Sequence, residues 1–233
     1  MKENASLLEM IDGSLAAIGL VCGLLCGFGP PSVQAQGRID FNMRVSGALV
    51  THVYGPEVSD PSLSKMGNTA SETPAGTQTY TGARLEGSGW SAELFAALGT
   101  GQPESSLWPV PGSLTTFRTG AVLGGTIAPK DLRVPGIGHA QRGTFQVRVW
   151  DNRGGTFNSW SAAEALWQQG SLAAGKSVLF EVTLIDHILG LSPLMDDFRS
   201  FNVYFVPEPS ATALALLAGA ALFVHLRRRC RPP

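Results

Sequence analysis

The feature that most constrains the fold of this chain is an alternation of apolar and polar residues along four separate segments. Side chains on an extended strand point alternately to opposite faces, so a period of two is typical of a half-buried β-strand. The segments are residues 38–45, 144–150, 176–185 and 199–205. The apolar residues expected to face inward are Ile39, Phe41, Met43, Val45, Phe145, Val147, Val149, Val178, Phe180, Val182, Leu184, Phe201, Val203 and Phe205.

Weaker strand candidates and turn signals fill the space between these segments. The candidates are residues 80–85, 90–97, 114–118 and 121–127, and the turn signals include residues 136–138 and 151–155. About eight short strands separated by glycine- and proline-rich turns predict an all-β fold, an antiparallel β-sandwich or jelly roll. Residues 57–78 are rich in Ser, Thr, Pro and Gly, and we expect a long, partly mobile loop there.

One short helix is predicted within this β-rich region. Ser161 and Glu164 have the spacing of a capping box, in which each side chain bonds the other residue's backbone N–H. Ala163 and Trp167 lie four residues apart and therefore on one side of a helix. Gly170 is a typical C-terminal stop. About two helical turns fit between these signals.

The three cysteines lie close to the ends of the chain, at Cys22, Cys26 and Cys230. The body between them, residues 36–206, therefore has no disulfide, thiol nucleophile or cysteine-based metal site. That body carries 12 basic and 14 acidic residues, a net charge of −2. Its charges include no basic patch, and nucleic acid is not an expected partner.

The N-terminal region has the layout of a secretory signal peptide. Residues 15–28 are apolar, two prolines follow, and Val33 and Ala35 supply small residues at the −3 and −1 positions of a cleavage site. We predict a signal peptide at residues 1–35 with an apolar helix. The alternative is a buried helix of the core.

The C-terminal region combines three features in a fixed order. A Pro207-Glu208-Pro209 motif precedes the apolar residues 211–226, which contain no Asp, Glu, Lys or Arg. We predict a transmembrane helix at residues 211–226, whose length is just below the usual range of about 17 to 25 residues. The basic residues that follow favour a cytoplasmic C-terminus, and they are Arg227, Arg228, Arg229 and Arg231. An ordinary C-terminal membrane anchor is the alternative.

Motif, apolar span and basic tail together resemble the PEP-CTERM sorting signal of Gram-negative bacteria. The resemblance covers residues 206–233 and implies that Pro207, Glu208 and Pro209 are the recognition element for an exosortase, a membrane-embedded sorting enzyme. It further implies export, insertion in the inner membrane, and later placement at the cell surface or outside the cell. Extracellular polysaccharide is a further partner that the resemblance suggests.

Candidate catalytic residues are few and scattered. The body contains His52, His139 and His187, and it lacks the His-x-x-x-His and Gly-x-Ser-x-Gly patterns. Asp186 and His187 are an acid and a base, but adjacent residues on an extended chain point to opposite faces. The sequence therefore predicts no catalytic group.

Two further patterns have a functional and a structural interpretation. Asp196 and Asp197 are clustered carboxylates of the kind that calcium prefers, although a solvated turn before the last strand is the favoured interpretation. Gly124 and Gly125 precede no strand–helix phosphate loop and indicate a turn. No metal or other cofactor is predicted.

Five tryptophans lie in the body. Tryptophans on one face of a sheet form sugar-binding platforms, but more often they pack in a core. Trp150 is the most informative, because the alternation puts it on the polar face of its strand. The residues are Trp90, Trp108, Trp150, Trp160 and Trp167.

Two classes of function follow. The first is a non-enzymatic surface or matrix protein with weak glycan binding. The alternative is a secreted enzyme or carbohydrate-binding module that acts on polysaccharide.

Overall fold

The longest strand pairing in the protein joins β5 (Trp90–Leu98) to β9 (Arg142–Asp151) through nine consecutive antiparallel residue pairs. The computed structural model describes residues 36–186 and 191–207. Four shorter strands complete this main sheet. The other edge of β9 pairs with β10 (Ala174–Lys176) and β11 (Phe180–Thr183). The other edge of β5 pairs with β6 (Trp108–Pro109) and β7 (Thr115–Thr116).

A second, two-stranded sheet pairs β1 (Gln36–Phe41) with β8 (Lys130–Gly138) in antiparallel orientation. The remaining strands form two small pairs, antiparallel β2–β3 and parallel β4–β12. Their bounds are β2 (Arg44–Val45), β3 (Leu49–Val50), β4 (Val53–Tyr54) and β12 (Phe201–Asn202). With one α-helix, α1 (Trp160–Gln168), and a single 3-10 turn at Glu104–Ser106, the described part of the chain confirms the all-β prediction.

The two sheets contribute to one apolar core. Leu94 from β5 and Val147 from β9 are fully buried, and so are Ile39 from β1 and Val134 from β8. The inward residues predicted for residues 144–150 are therefore correct. The core also contains Phe41, Met43, Leu132, Ile137, Phe145, Val149, Phe180, Val182, Leu184, Phe201 and Val203.

The opposite face of the main sheet is also covered. There Phe95 and Trp150 pack in a second cluster with Trp160 and Trp167 from α1. Each apolar side chain buried in this way contributes about 1.5–3 kcal/mol relative to exposure. The face predicted as polar therefore lies inside the protein, and Arg148 on that face is only 7% exposed.

The N-cap of helix α1 lies two residues before the one predicted at Ser161. Ser159 is the N-cap, and its Oγ accepts a hydrogen bond from the backbone N–H of Ala162. The predicted cap at Ser161 is wrong, because the helix starts early enough to bring Trp160 into the second cluster. The C-terminus is as predicted: Gly170 has a φ of +72°, and its N–H donates to the carbonyl of Trp167 in a Schellman motif.

The predicted strand at residues 176–185 is divided by a bulge. β10 and β11 both pair with β9, but the register shifts by one residue between them. At the bulge, Ser177 makes two hydrogen bonds with the backbone of Val147. The Oγ of Ser177 accepts the N–H of Val147, and the N–H of Ser177 donates to the carbonyl of Val147. Val178 then turns outward and is 39% exposed, so its predicted inward orientation is wrong.

β8 was not predicted, and the turn expected at residues 136–138 is wrong. These residues belong to β8, which contains both Pro135 and Gly136. The pairing with β1 jumps from Arg38↔Arg133 to Gln36↔Gly138, so the proline and glycine fall in an irregular part of the ladder. Proline is compatible with a strand at such a position, because no ladder hydrogen bond is required there.

Other strand predictions need shorter bounds or fail. The segment predicted at residues 38–45 is interrupted between β1 and β2, and Val45 is only partly buried. The segment at 199–205 retains Phe201–Asn202 as a strand, and these residues pair in parallel with β4. Residues 80–85 and 121–127 form turns and isolated bridges instead of strands.

Residues 57–78 are irregular, as predicted, but their contacts favour a fixed loop over a mobile insertion. The side-chain amide of Asn202 makes two hydrogen bonds with the loop. Its Oδ1 accepts the N–H of Lys65 (2.6 Å), and its Nδ2 donates to the carbonyl of Leu63 (2.8 Å). A Cβ added to Gly76 would lie 2.1 Å from the carbonyl oxygen of Asn68. The glycine content of this loop therefore reflects close backbone packing.

The predicted signal helix at residues 1–35 and the predicted transmembrane helix at residues 211–226 lie outside the described residues. Within residues 36–186 and 191–207, no helix has the length and apolar character needed to cross a bilayer.

Phe180→Ala is expected to lower the free energy of unfolding by about 3–5 kcal/mol. Phe180 is buried, stacks on Phe145 with ring centroids 5.9 Å apart, and meets Phe198 edge-on at 5.6 Å. Urea denaturation followed by circular dichroism measures the change. Val178→Ala is the matched control and should change the free energy of unfolding by less than about 0.5 kcal/mol. Equal losses in the two variants would contradict the assignment of Phe180 to the core.

Candidate functional site

The sequence-predicted sorting residues lie at or beyond the end of the described structure. Pro207 is exposed, and it follows Val206, which packs against the second cluster. Glu208, Pro209 and the four arginines at 227–231 lie outside the described residues. The same holds for Val33 and Ala35 of the predicted cleavage site.

The histidines are in separate environments. His139 is exposed in the β8–β9 turn, and its Nδ1 accepts a hydrogen bond from the backbone N–H of Asp186 (3.0 Å). His187 lies outside the described residues, so the Asp186–His187 pair stays a hypothesis. His52, between β3 and β4, is buried.

The acidic pair Asp196-Asp197 and the glycine pair Gly124-Gly125 both lie in turns. Asp196 and Asp197 are exposed in a turn that the N–H of Phe198 closes on the carbonyl of Met195 (2.9 Å). Residues 121–125, which include both glycines, are also a turn. Within the described ranges there is no group of three or more His, Cys, Asp and Glu side chains arranged to hold a metal ion.

The tryptophans do not form an exposed platform. Trp150 has no exposed surface, and its Nε1 donates to the carbonyl of Phe157 (2.8 Å). The ligand role considered for Trp150 is therefore wrong, because α1 covers its face of the sheet. Trp160 and Trp167 are buried with it, while Trp90 and Trp108 pack partly buried against the main core.

The most elaborate polar arrangement among the described residues is centred on Glu72. This carboxylate is 4% exposed and accepts hydrogen bonds from Nδ1 of His52 (2.7 Å), the hydroxyl of Tyr54 (3.1 Å) and the backbone N–H of Thr69 (2.6 Å). The hydroxyl of Ser200 lies in the same region, where it accepts the backbone N–H of His52 (2.9 Å). A buried carboxylate that accepts this many hydrogen bonds fixes the groups around it.

The pKa values near Glu72 reflect these contacts. Burial alone would raise the pKa of Glu72, but the hydrogen bonds from His52 and Thr69 outweigh it and lower the pKa below the ordinary range. Burial raises the pKa of Tyr54 and of Tyr80, and the charge of Glu72 acts in the same direction. Glu72 is therefore ionised and both phenols are neutral near pH 7.

An open cleft of about 440 Å³ lies beside this network. Tyr54 and Tyr80 form part of its wall and stack with ring centroids 4.1 Å apart and planes 6° from parallel. Arg84 also lines the cleft, together with the polar residues Gln78 and Thr79. This combination of aromatic, cationic and hydrogen-bonding groups is suited to binding a polar ligand.

A second set of buried charges lies under α1 and is internally paired. Arg148 sits over the ring of Phe95 (3.9 Å) and near Glu104 (3.6 Å), which is also paired with Lys176. Burial raises the pKa of Glu93 in the same region. Lys176 also pairs with Glu164 of α1 (3.3 Å), and this contact links the helix to the sheet.

The cleft lined by Tyr54, Tyr80 and Arg84 was not predicted from the sequence. Tyr54, Tyr80 and Arg84 lie in segments without clear periodicity, and Glu72 lies in the stretch predicted as a mobile loop. The only local signal was a carboxylate in a stretch with few charged residues. No known protein family, curated protein or solved structure matches this chain.

Glu72→Gln is expected to destabilise the protein at neutral pH by about 1–3 kcal/mol and to weaken its response to acid. In the variant, an NH2 group replaces one carboxylate oxygen and therefore meets hydrogen-bond donors in place of acceptors. The remaining partners, among them His52 and Thr69, lose a charged acceptor. Because folding lowers the pKa of Glu72, its contribution to stability is present above the ordinary pKa of about 4.3. It is lost as the pH falls through the folded-state pKa.

The measurement is the free energy of unfolding between pH 7 and pH 3 for the parent, Glu72→Gln and Glu86→Gln. Glu86 is exposed and serves as the control. Glu57 and Glu104 also have lowered pKa values, so the acid slope should become shallower without vanishing. An unchanged slope in Glu72→Gln would contradict the network.

Proposed function

We propose that this protein is an exported surface or extracellular-matrix protein, directed by a PEP-CTERM sorting signal and processed by an exosortase-type enzyme. Residues 1–35 act as the signal peptide, residues 211–226 anchor the chain in the inner membrane, and the arginines that follow remain in the cytoplasm. The body reaches the cell surface or the medium after processing. Nucleic acid is not a partner of this body, whose net charge is −2.

The observation that carries this proposal is the position of the motif relative to the folded body. Tyr204 exchanges backbone hydrogen bonds with Ala174, and Val206 packs in the second cluster, whereas Pro207 is exposed. The first residue of the Pro-Glu-Pro motif is therefore accessible at the surface of the body. An exposed, proline-stiffened segment between a folded domain and an apolar span is suited to recognition by a membrane-embedded enzyme.

The proposal includes the way in which the two sheets of the body pack. We infer that the main sheet and the β1–β8 sheet pack face to face as a β-sandwich, since side chains of both line one core. Such a domain holds its shape outside the cell without a disulfide, because a body of about 170 residues buries enough apolar surface to be stable on its own.

A binding role is favoured over a catalytic one. Glu57 accepts hydrogen bonds from Lys65 and Thr81, and Glu72 and Glu104 are bonded in the same saturated way. Carboxylates held like this stabilise a structure, whereas a general acid or base needs access to a substrate proton. The alternative within the same substrate class is a carbohydrate-binding module, which the cleft at Tyr54 and Tyr80 favours.

Glu208→Ala is expected to leave a longer, membrane-retained form of the protein in cells that contain an exosortase. The glutamate is the charged centre of the motif, so its removal should abolish recognition without affecting the body. Immunoblots of membrane, surface and medium fractions measure the outcome. Glu86→Ala, in the body, is the control and should be processed like the parent. Identical size and distribution of Glu208→Ala and the parent would refute the motif's role.

A reporter fused after Pro233 is expected to be active only in the cytoplasm, and the same reporter placed after Val206 only outside it. The reason is the run of arginines after the apolar span, which resists transfer across the membrane. A pair of reporters, one active in each compartment, measures both fusions. Activity of the Pro233 fusion in the periplasm would overturn the proposed topology.

A further inference from the structure

We infer that the cleft beside Tyr54 and Tyr80 binds an acidic saccharide, with the guanidinium of Arg84 paired to a carboxylate of the sugar. This inference rests on the proposed function, which places the body where glycans occur, and it specifies the ligand class and the residues that select it.

The lining of the cleft favours an anion that also carries hydroxyl groups. Among the described residues that line it, Arg84 is the one charged side chain. The remaining polar groups are hydroxyls and an amide, supplied by Ser71, Thr79, Gln78 and their neighbours. Hydroxyls and amides match the donors and acceptors of a sugar ring. The volume of about 440 Å³ lies within the range of small-molecule sites.

The aromatic wall is held in place before any ligand arrives. The hydroxyl of Tyr54 donates to Glu72 (3.1 Å), and the hydroxyl of Tyr80 donates to the carbonyl of Gly67 (2.7 Å). Both phenol oxygens are therefore committed to the protein. Tyr54 is only 7% exposed and supports Tyr80 from behind through the stack, so the partly exposed ring of Tyr80 supplies the carbon surface of the cleft. A fixed apolar surface reduces the ordering cost of binding, and sugar rings have apolar C–H faces that pack on such surfaces.

Arg84 has donors left for a ligand. A guanidinium carries five N–H donors in a planar fork. Nη1 donates to the carbonyl of Ala121 (3.3 Å). This partner is not a carboxylate, so the contact does not neutralise the charge of Arg84. Arginine pairs with a carboxylate through two parallel hydrogen bonds, which gives both affinity and orientation.

The cleft adjoins a second concavity of about 380 Å³, and Thr77 and Gln78 line both. Arg199 is the charged residue of the second concavity. Its Nη2 lies 3.8 Å from Asp197, so it offers a weaker positive charge than Arg84. Two adjoining sites with an arginine in each are suited to successive acidic units of one saccharide chain.

Other polyanions fit less well. The body has a net charge of −2, which disfavours long nucleic acids with one charge on every nucleotide. An acidic peptide would supply carboxylates but no ring to lie on Tyr80. The saccharide is therefore the ligand to which we commit, and the acidic peptide is an outcome of the test.

The experiment is a calorimetric titration of the purified full-length chain with three probes at low salt. The probes are trigalacturonic acid, its fully methyl-esterified form, and triglutamate. The ester keeps the ring and removes the charge, and triglutamate keeps the charge and removes the ring. We expect binding of trigalacturonic acid at least about tenfold tighter than of either control, the contribution of one charge-assisted hydrogen-bonded pair.

Variants then locate the site. Arg84→Gln should weaken binding of trigalacturonic acid about tenfold or more, and Arg84→Lys should weaken it less, because lysine retains the charge without the fork. Arg133→Gln, at an exposed position on β8, is the matched control and should bind like the parent. Thermal unfolding of each variant verifies its fold. If Arg84→Gln does not fold, the salt dependence of parental binding is the second measurement: 0.5 M NaCl should weaken binding of the acid but not of the ester.

The inference is overturned by any of three results: no binding of trigalacturonic acid, equal binding of the ester or triglutamate, or unchanged binding by folded Arg84→Gln. The titration does not involve the Pro-Glu-Pro motif. Loss of the cleft hypothesis therefore leaves the sorting proposal standing if Glu208→Ala is still retained in the membrane. Normal processing of Glu208→Ala would refute the sorting proposal whatever the titration gives.

Discussion

The β5–β9 ladder is the interaction on which the rest of the structure depends. Its nine residue pairs bury Leu94 and Val147 on one face and Phe95 and Trp150 on the other. Strands buried on both faces need a covering layer on each side. Side chains of the β1–β8 sheet share the core with one face, and α1 packs on the other. Even Gln146 and Arg148 of β9 are buried, which is why Arg148 must be paired and packed against aromatic rings.

A single carboxylate gives order to the part of the protein that has least regular structure. Glu72 bonds the side chains of His52 and Tyr54 around β4 and the backbone of Thr69 in its own loop, and the N–H of His52 bonds Ser200 before β12. Such a centre substitutes for a ladder of backbone hydrogen bonds. The cleft owes its fixed wall to the same centre, since Tyr54 is one of its donors. Rigidity and ligand access are therefore combined in one loop region.

The sequence predicted what depends on local periodicity and missed what depends on distant contacts. β9 was predictable because its inward residues alternate, whereas β5 appeared only as a weaker strand candidate at residues 90–97. The covered face of β9 was not, because its neighbours come from α1, whose own start depends on burial of Trp160. β8 was missed because Pro135 and Gly136 interrupt the pattern at a bulge. The cleft joins Tyr54 to Tyr80 across a stretch without any period, so no local rule points to it.

The junction between the body and its C-terminal segment has a mechanical consequence. The carbonyl of Tyr204 accepts hydrogen bonds from both Nε1 of Trp167 (3.0 Å) and the N–H of Ala174, and Val206 packs beside them. The N–H of Phe205 donates to the carbonyl of Pro61 (3.0 Å) on the same path. A tension applied at Pro207 would therefore load the contacts that residues 204–206 make with α1, β10 and Pro61 before it reached the β5–β9 ladder.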